Sequence, residues 1–415
     1  MKWMTGILLI LLYTSCSSNR AVVRQIQQFE NNFQHHAGFV LYDPEKKEFL
    51  VKKNADKYFT PASNTKIITF FVASEILGES LPSLYYKQTN DSLIFWGTGS
   101  PALMYDLLPE SPTYSFLKDA HQSLFFSPTN FYDQHFGAGW SWDDYLYTFS
   151  SEKSSLPIYG NAFTIKKKAG SPYLKVNLPY FQPYFTLGDS ITVESRFIRS
   201  QESNLVIYEP SLTADAFSVD LPFRTDKYTI AALLADTLNK PVEIIHQALP
   251  ETYQTLPGIP ADSAYKVMMQ QSDNFIAEQL LLTCAGQISD SLKTSTAIRW
   301  AQENLLKESP DHIIWKDGSG LSRYNLITPQ SIVWLWEQLY DKLDRERLFS
   351  LIAVGGQSGT IKNYYRSDPP YIYGKTGTLS NNHNLSGFLR AKSGKILIFS
   401  FMNNNYPTES RPVKK

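Results

Sequence analysis

Residues 60–66 read Thr60-Pro61-Ala62-Ser63-Asn64-Thr65-Lys66, and the apolar run 67–77 follows at once. Pro61 suits the first turn of a helix, and the spacing of the apolar residues after it predicts a helix with a mainly buried face. Ser63 then lies at the helix start, with Lys66 one turn further along the same face. A serine needs a neighbouring base to become a nucleophile, and a lysine can be that base where burial or nearby cations lower its pKa. The pair therefore predicts a nucleophilic serine with a lysine partner.

This pair is weak evidence when it is taken alone, because a chain of ordinary composition contains Ser-x-x-Lys by chance. The sequence holds further such pairs, among them Ser115 with Lys118 and Ser150 with Lys153. The alternative interpretation of Ser63 is a helix N-cap followed by a solvated lysine. The rest of the chain has to decide between the two interpretations.

Composition limits the classes of protein to consider. With 415 residues, 43% of them hydrophobic, the chain can bury a large core and divides into two or more domains. Its 39 basic and 39 acidic residues balance, which argues against a nucleic-acid partner held by net charge. The histidines show no His-Glu-x-x-His spacing, so we expect neither a metal nor another cofactor.

The N-terminus predicts an exported protein. A basic start, a short apolar core and small polar residues describe a secretory signal over residues 1–15, too short for a membrane span. Cys16 stands where a bacterial lipoprotein signal has its lipidated cysteine; the alternative is an ordinary signal peptide with an incidental cysteine. With Cys16 lipidated, Cys284 is the one free thiol of the processed chain, so no intramolecular disulfide is expected. Its apolar helical setting predicts a buried, inert thiol.

Strand patterns occur at both ends of the chain. Residues 38–42 and 49–53 predict one hairpin, residues 385–391 and 396–402 predict another, and residues 371–378 predict the strand before it. Helical patterns lie between them, at 262–271, 275–282, 295–307 and 329–340, with a short strand at 312–316. We therefore expect one antiparallel sheet that is assembled from the two ends of the chain and flanked by helices.

The middle of the chain has a different texture. Between residues 83 and 248 short strand-like runs at 92–96, 173–177, 190–195 and 204–208 alternate with Gly, Pro, Asn and Ser, and one helix is predicted at 231–239. We interpret this stretch as a mostly β inserted region. The predicted domains are a catalytic domain in two parts, 21–82 and 249–415, and the insertion at 83–248.

Two later motifs accompany Ser63 and Lys66. Ser272-Asp273-Asn274 forms a polar break between two predicted helices, and Lys375-Thr376-Gly377 lies in the last strand before the terminal hairpin. The alternative interpretation of the first motif is a plain interhelical turn. That of the second is an exposed turn with a solvated lysine. The glycine at 377 lets another backbone approach, so a peptide could pair with that strand. The three motifs in this order match the set of serine β-lactamases and penicillin-binding proteins, and their joint occurrence is a strong signal.

Further segments strengthen this likeness, and the sequence resembles the class C low-molecular-mass penicillin-binding proteins, the D-alanyl-D-alanine carboxypeptidase/endopeptidase family. The segments that carry the resemblance are 61–66, Gly139-Trp140-Ser141-Trp142-Asp143-Asp144, 271–278, Asp317-Gly318-Ser319-Gly320-Leu321-Ser322-Arg323 and 375–380. A long insertion between the first two catalytic motifs also marks this family. The chain departs from the family pattern at Gly99-Ser100-Pro101, where Gly-Asp-Pro is usual. It also ends at Lys415 without the closing C-terminal helix of the fold, and an uncovered sheet face would lower stability.

The resemblance implies an α/β fold (α+β), a penicillin-binding/serine β-lactamase-like transpeptidase domain with the mostly β insertion. It implies that Ser63 attacks the carbonyl between two D-alanines of a peptidoglycan stem peptide, with Lys66 as base and Ser272 relaying a proton. The substrate-binding residues it implies are Asn274, Lys375, Thr376, Gly377 and Thr378, and the backbone N–H groups of Ser63 and Thr378 would form the oxyanion hole.

The implied partners are peptidoglycan stem peptides, β-lactams as inhibitors, and a membrane through a lipid anchor only. The implied location is the periplasm or cell envelope. Two alternatives stay open. A serine β-lactamase would differ by rapid deacylation, although class A enzymes lack the insertion. A non-catalytic peptidoglycan-binding lipoprotein would retain the fold without the reaction.

Overall fold

The computed structural model describes residues 4–171, 173–188, 197–208 and 216–414, and the side chains among them from residue 19 onward. The strand predicted at 190–195 and the side chain of Cys16 lie outside this part. In the described residues no helix has both the length and the apolarity that crossing a bilayer requires.

The described α-helices are α1 (Met4–Phe33), α2 (Thr65–Ile76), α3 (Pro112–Asp119), α4 (Lys227–Leu238), α5 (Ala261–Gln270), α6 (Asn274–Ile288), α7 (Thr294–Asn304), α8 (Pro329–Lys342), α9 (Arg345–Leu351) and α10 (Ser410–Val413). The described strands are β1 (His36–Asp43), β2 (Glu48–Lys53), β3 (Ser80–Gln88), β4 (Ser92–Gly97), β5 (Ser123–Phe126), β6 (Ala162–Lys167), β7 (Leu174–Val176), β8 (Phe185–Leu187), β9 (Phe197–Arg199), β10 (Val206–Tyr208), β11 (Phe217–Pro222), β12 (Val242–Ile244), β13 (Gln254–Pro260), β14 (Ala353–Val354), β15 (Ile372–Leu379), β16 (Asn382–Arg390) and β17 (Ile396–Asn404).

The chain forms two compact units. Unit 1 comprises Met1–Phe71, Met268–Ser272 and Trp300–Lys415, and unit 2 comprises Val72–Val267 and Asp273–Arg299. The predicted domain division at 21–82, 83–248 and 249–415 stays a prediction.

Unit 1 is built on one antiparallel sheet in the order β14-β15-β16-β17-β1-β2. The first hairpin therefore pairs with the last strand of the chain, as the strand patterns predict. Helix α8 packs on β17, β1 and β16, begins at the N-cap Thr328 and has Pro329 in its first turn. Its Trp336 indole donates a 3.0 Å hydrogen bond to Ser386 of β16.

Helix α1 contacts β1 and β2. A 2.8 Å ion pair joins Glu30 of α1 to Lys53 of β2, and the same carboxylate accepts the Ala37 amide at 2.9 Å. The Phe29 ring lies 5.9 Å from the Phe401 ring of β17. These contacts cover part of the sheet with the residues that follow the predicted signal.

Unit 2 contains a five-stranded mixed sheet in the order β12-β5-β4-β3-β13 and two three-stranded sheets, β11-β6-β7 and β8-β10-β9. One apolar cluster within the unit includes Phe95, Phe126, Phe163, Phe181 and Leu234. Helix α6 is buried along Phe275–Gly286, and within it burial raises the pKa of the Cys284 thiol. The predicted mostly β texture is therefore present here.

Two predictions of local structure were wrong. Residues 312–316 do not form a strand, because only an isolated bridge joins Ile314 to Leu326. The middle region also holds α3, a helix that the sequence analysis missed. It begins with Ser111 as N-cap, whose side chain accepts from the Thr113 amide, and with Pro112 in the first turn.

Candidate active site

Ser63 lies in a single 3-10 turn, Ala62–Asn64, that leads directly into α2. Lys66 is fully buried, because the apolar face of α2 carries its aliphatic stem into the interior of the protein. Its Nζ donates one hydrogen bond to Ser63 Oγ at 3.0 Å and another to the Ser319 carbonyl at 2.7 Å. The serine and the lysine predicted from their spacing are thus in direct contact.

The turn before α2 is held by a side chain from the sheet. Asn384 of β16 donates to the carbonyl of Thr60 at 3.0 Å and to that of Pro61 at 2.9 Å. Ala62, which follows, adopts a left-handed backbone with φ of 49°. A non-glycine residue in this region carries strain of about 1–3 kcal/mol. The conformation that aims Ser63 is therefore imposed by its surroundings.

The turn at Asp317 supplies the second wall of the site. The Asp317 carboxylate accepts from the amides of Gly320 at 2.9 Å and Ser322 at 2.6 Å, and from Asn325 Nδ2 at 2.7 Å. This network turns two carbonyls toward α2. Ser319 O accepts from Lys66, and Gly318 O accepts from the Thr69 hydroxyl at 2.6 Å.

Gly320 is required by a close approach. It has φ of 83°, and a Cβ at this position would lie 1.9 Å from the Ala62 carbonyl oxygen. The resemblance drew attention to this segment without giving it a role. Its Asp-Gly-Ser-Gly composition predicts a tight turn but does not indicate which helix the turn contacts.

Lys375 of β15 is fully buried. Its Nζ donates to Ser272 Oγ at 2.7 Å and to the Thr376 carbonyl at 2.8 Å. Burial, and secondly the positive charge of Lys66, hold the pKa of Lys375 well below its usual range. Ser272 itself has a left-handed backbone with φ of 64°. Unit 1 therefore brings together Ser63, Lys66, Ser272 and Lys375.

Strand β15 passes directly beside the turn that carries Ser63. A Cβ at Gly377 would lie 2.4 Å from the Pro61 carbonyl oxygen and 3.0 Å from the Ser63 amide nitrogen. Only glycine permits this approach. The approach brings Gly377, the residue before Thr378, to the amide of Ser63. Ser63 and Thr378 are the two residues whose N–H groups are expected to form the oxyanion hole.

The two threonine hydroxyls of β15 have partners that the sequence analysis did not foresee. Thr376 donates to Thr360 Oγ1 at 2.7 Å, and Thr378 Oγ1 lies 2.8 Å from His383 Nδ1. Thr360 belongs to the short turn Gly359–Ile361, and His383 lies opposite Thr378 on β16. No sequence motif predicted either contact.

Asn274 is the first residue of α6, in unit 2. There its side-chain amide donates to the Phe149 carbonyl at 2.8 Å. The preceding Asp273 caps α6 by accepting the Ile276 amide at 2.8 Å, and it accepts the Tyr105 hydroxyl at 2.7 Å. Among the described residues no cluster of three or more His, Cys, Asp or Glu side chains could hold a metal ion.

The chain is similar in sequence to known carboxypeptidases. D-alanyl-D-alanine carboxypeptidase DacB of Haemophilus influenzae is 24% identical over 413 residues, which is 90% of this chain and 86% of that protein. The D-alanyl-D-alanine carboxypeptidase of an Actinomadura species is 23% identical over 427 residues, 89% of this chain and 78% of that protein.

The crystal structure of penicillin binding protein 4 from H. influenzae matches with a TM-score of 0.75 at 23% identity, covering 91% of this chain and 94% of that one. The same protein complexed with a β-lactam matches with a TM-score of 0.70 at 21% identity, again with 91% and 94% covered. This likeness confirms the expected fold class. The model of the family described as D-Ala-D-Ala carboxypeptidase 3 (S13) matches residues 19–415, so the resemblance is confirmed and the chain belongs to that family.

Proposed function

We propose that this protein is a serine D-alanyl-D-alanine carboxypeptidase/endopeptidase that cleaves peptidoglycan stem peptides through an acyl-enzyme. The observation that carries the proposal is the 3.0 Å contact between Lys66 Nζ and Ser63 Oγ, made by a fully buried lysine at the start of α2. The names of the two carboxypeptidase relatives support the substrate class.

In the acylation step Ser63 Oγ attacks the carbonyl carbon between the two D-alanines. Lys66 Nζ is the base that takes the hydroxyl proton along the contact that it already makes. Negative charge develops on the carbonyl oxygen, and the N–H groups of Ser63 and Thr378 stabilise it, typically by about 3–4 kcal/mol for each donor. The close approach of Gly377 to Ser63 supports this pairing of donors.

The leaving D-alanine must gain a proton as the C–N bond breaks. Ser272 relays to that nitrogen the proton that Lys66 took from Ser63, giving up its own hydroxyl proton and regaining one in the same transfer, and the 2.7 Å hydrogen bond from Lys375 orients the Ser272 hydroxyl for it. Lys375, Thr376 and Thr378 bind the terminal carboxylate of the substrate, and Asn274 holds the substrate amide. Water then hydrolyses the ester on Ser63. A β-lactam acylates the same serine and inhibits the enzyme.

The location of the enzyme follows from its substrate and its N-terminus. We propose a signal over residues 1–15, export to the periplasm or cell envelope, and lipidation of Cys16 as a membrane anchor. Intact-mass analysis of the protein purified from bacterial membranes tests the anchor. The lipid mass is expected on the wild type and absent from Cys16→Ala.

The experiment that tests the reaction is intact-mass spectrometry after incubation with benzylpenicillin. The wild type is expected to gain the mass of one penicillin, and Ser63→Ala none. Ser115→Ala is the matched control, because Ser115 also precedes a lysine by three residues while its hydroxyl donates to Pro112 O. That variant is expected to form the adduct as the wild type does.

The other outcomes separate the alternatives. Rapid penicillin hydrolysis without a lasting adduct would identify a β-lactamase. Neither an adduct nor hydrolysis, with peptidoglycan binding retained, would identify a non-catalytic binding protein. With a stem pentapeptide, loss of one D-alanine by the wild type and not by Ser63→Ala is the expected result.

A further inference from the structure

Thr378 and His383 face each other across the hairpin formed by β15 and β16. The register of β15 and β16 pairs the two residues directly, and Thr378 Oγ1 lies 2.8 Å from His383 Nδ1. Thr378 is exposed, whereas His383 is only 7% exposed. The threonine hydroxyl can therefore reach a ligand while its partner stays inside the protein.

The imidazole of His383 is uncharged at neutral pH. Burial, and secondly the positive charge of Lys414, lower the pKa of His383 to about 4. A neutral imidazole has one N–H group, so Nδ1 is either a donor or an acceptor. The backbone of His383 is held against β17, where Asn403 Nδ2 donates to the His383 carbonyl at 3.2 Å.

The two tautomers present different faces of Thr378 to a ligand. If Nδ1 lacks a proton, it accepts the Thr378 hydroxyl proton, and only oxygen lone pairs are left to face a carboxylate. If Nδ1 carries the proton, it donates to Thr378 Oγ1, and the hydroxyl proton is free for the ligand. A hydrogen bond to a charged acceptor is also stronger than one between neutral groups.

We propose that His383 is a positioning residue that donates Nδ1–H to Thr378, so that the Thr378 hydroxyl donates its own proton to the terminal carboxylate of the substrate. This inference rests on the proposed role of Thr378 in carboxylate binding. It adds a residue outside the three motifs and fixes the direction of two hydrogen bonds in series.

Two substitutions at one position separate hydrogen bonding from packing. His383→Leu removes the donor and keeps an apolar side chain. His383→Asn retains an N–H group near the place of Nδ1. Each variant is assayed with a stem peptide that ends in D-alanyl-D-alanine and with the same peptide carrying a C-terminal amide.

With the free acid, His383→Leu is expected to raise KM by up to about tenfold with little change in kcat, because the Thr378 hydroxyl is no longer held in the orientation that donates to the carboxylate, both in the bound substrate and in the transition state. His383→Asn is expected to restore KM to within about twofold of the wild type. With the amide, all three proteins should share one KM. Equal losses for acid and amide would overturn the inference, because His383 would then act through packing alone.

Nitrogen NMR of the wild type, labelled with 15N-histidine, keeps the test independent of the folding of any leucine variant. The His383 signals are assigned by their absence from His383→Asn. In the penicillin acyl-enzyme, which contains a carboxylate, the Nδ1–H tautomer is expected, and the Nε2–H tautomer would overturn the inference. A wild type that forms no adduct would instead overturn the proposed function and this inference with it.

Discussion

Replacing Gly320 with alanine tests whether the turn at Asp317 shapes the turn that carries Ser63. The new Cβ would lie 1.9 Å from the Ala62 carbonyl oxygen, 2.5 Å from its carbon and 2.8 Å from Thr65 Oγ1. Two of these neighbours are backbone atoms and cannot rotate away. The turn before Ser63 must therefore shift, or the Asp317 turn must open.

The loss of stability expected for Gly320→Ala has two parts. An alanine at φ of 83° costs about 1–2 kcal/mol for the left-handed backbone. Overpacking against a fixed neighbour adds about 1–3 kcal/mol. Gly394 is the matched control, because its φ is 87° and a Cβ there would meet nothing within 4 Å. Gly394→Ala should therefore lose only the first part, and both variants share the change in the entropy of the unfolded chain.

The assay is urea unfolding of both variants, combined with the rate of penicillin acylation. Gly320→Ala is expected to lose about 2–5 kcal/mol and to acylate at least about tenfold more slowly, since a displacement of 1 Å at a reacting group can cost about 100-fold. Gly394→Ala should acylate at the wild-type rate. If the two variants lost the same stability and both acylated normally, the close approach would not constrain Ser63.

Two further predictions concern buried charge. Because burial holds the pKa of Lys375 below its usual range, the unfolded chain binds more protons than the folded chain at pH values below the ordinary lysine pKa of about 10.4. The stability of the wild type relative to Lys375→Met should therefore rise as the pH is raised toward that value; a constant difference in urea unfolding would contradict this. Lys153 is 3% exposed and pairs with Asp133 at 3.0 Å, so Asp133→Asn leaves a buried charge without its partner and should lower the free energy of unfolding by about 3–5 kcal/mol. The control is Glu202→Gln, because Glu202 is an 87% exposed partner of Arg224; it should change the free energy of unfolding in the same urea assay by less than about 1 kcal/mol.

Local patterns predicted most elements of unit 1. The hairpins and the helix after Ser63 follow from periodicity and turn residues that lie within a few positions of each other. The strand at 312–316 failed because its pairing is decided elsewhere. The Asp317 carboxylate holds the following residues in a turn that ends near Asn325. Of residues 312–316, only Ile314 then forms a β-bridge, with Leu326.

The site, too, has parts that could be predicted from the sequence and parts that could not. The Ser63 and Lys66 pair could be predicted from their spacing on one helix. The roles of Ser272 and Lys375 came from the resemblance, and the structure shows the contact between them, which joins segments about a hundred residues apart and on which spacing carries no information. The Ser319 carbonyl and His383 could not be found, since a backbone carbonyl has no sequence signature and a cross-strand partner depends on register.

Two glycines explain why the motifs are short and far apart. Gly377 approaches the Pro61 carbonyl and Gly320 approaches the Ala62 carbonyl, while Asn384 donates to the carbonyls of Thr60 and Pro61. Three segments distant in sequence thus fix one turn, and together they offset the strain at Ala62. The direction of the Ser63 N–H is then set before substrate arrives, as its proposed role as an oxyanion donor requires. Substitutions that alter packing elsewhere in the core should leave that direction intact, whereas a side chain at either glycine should not.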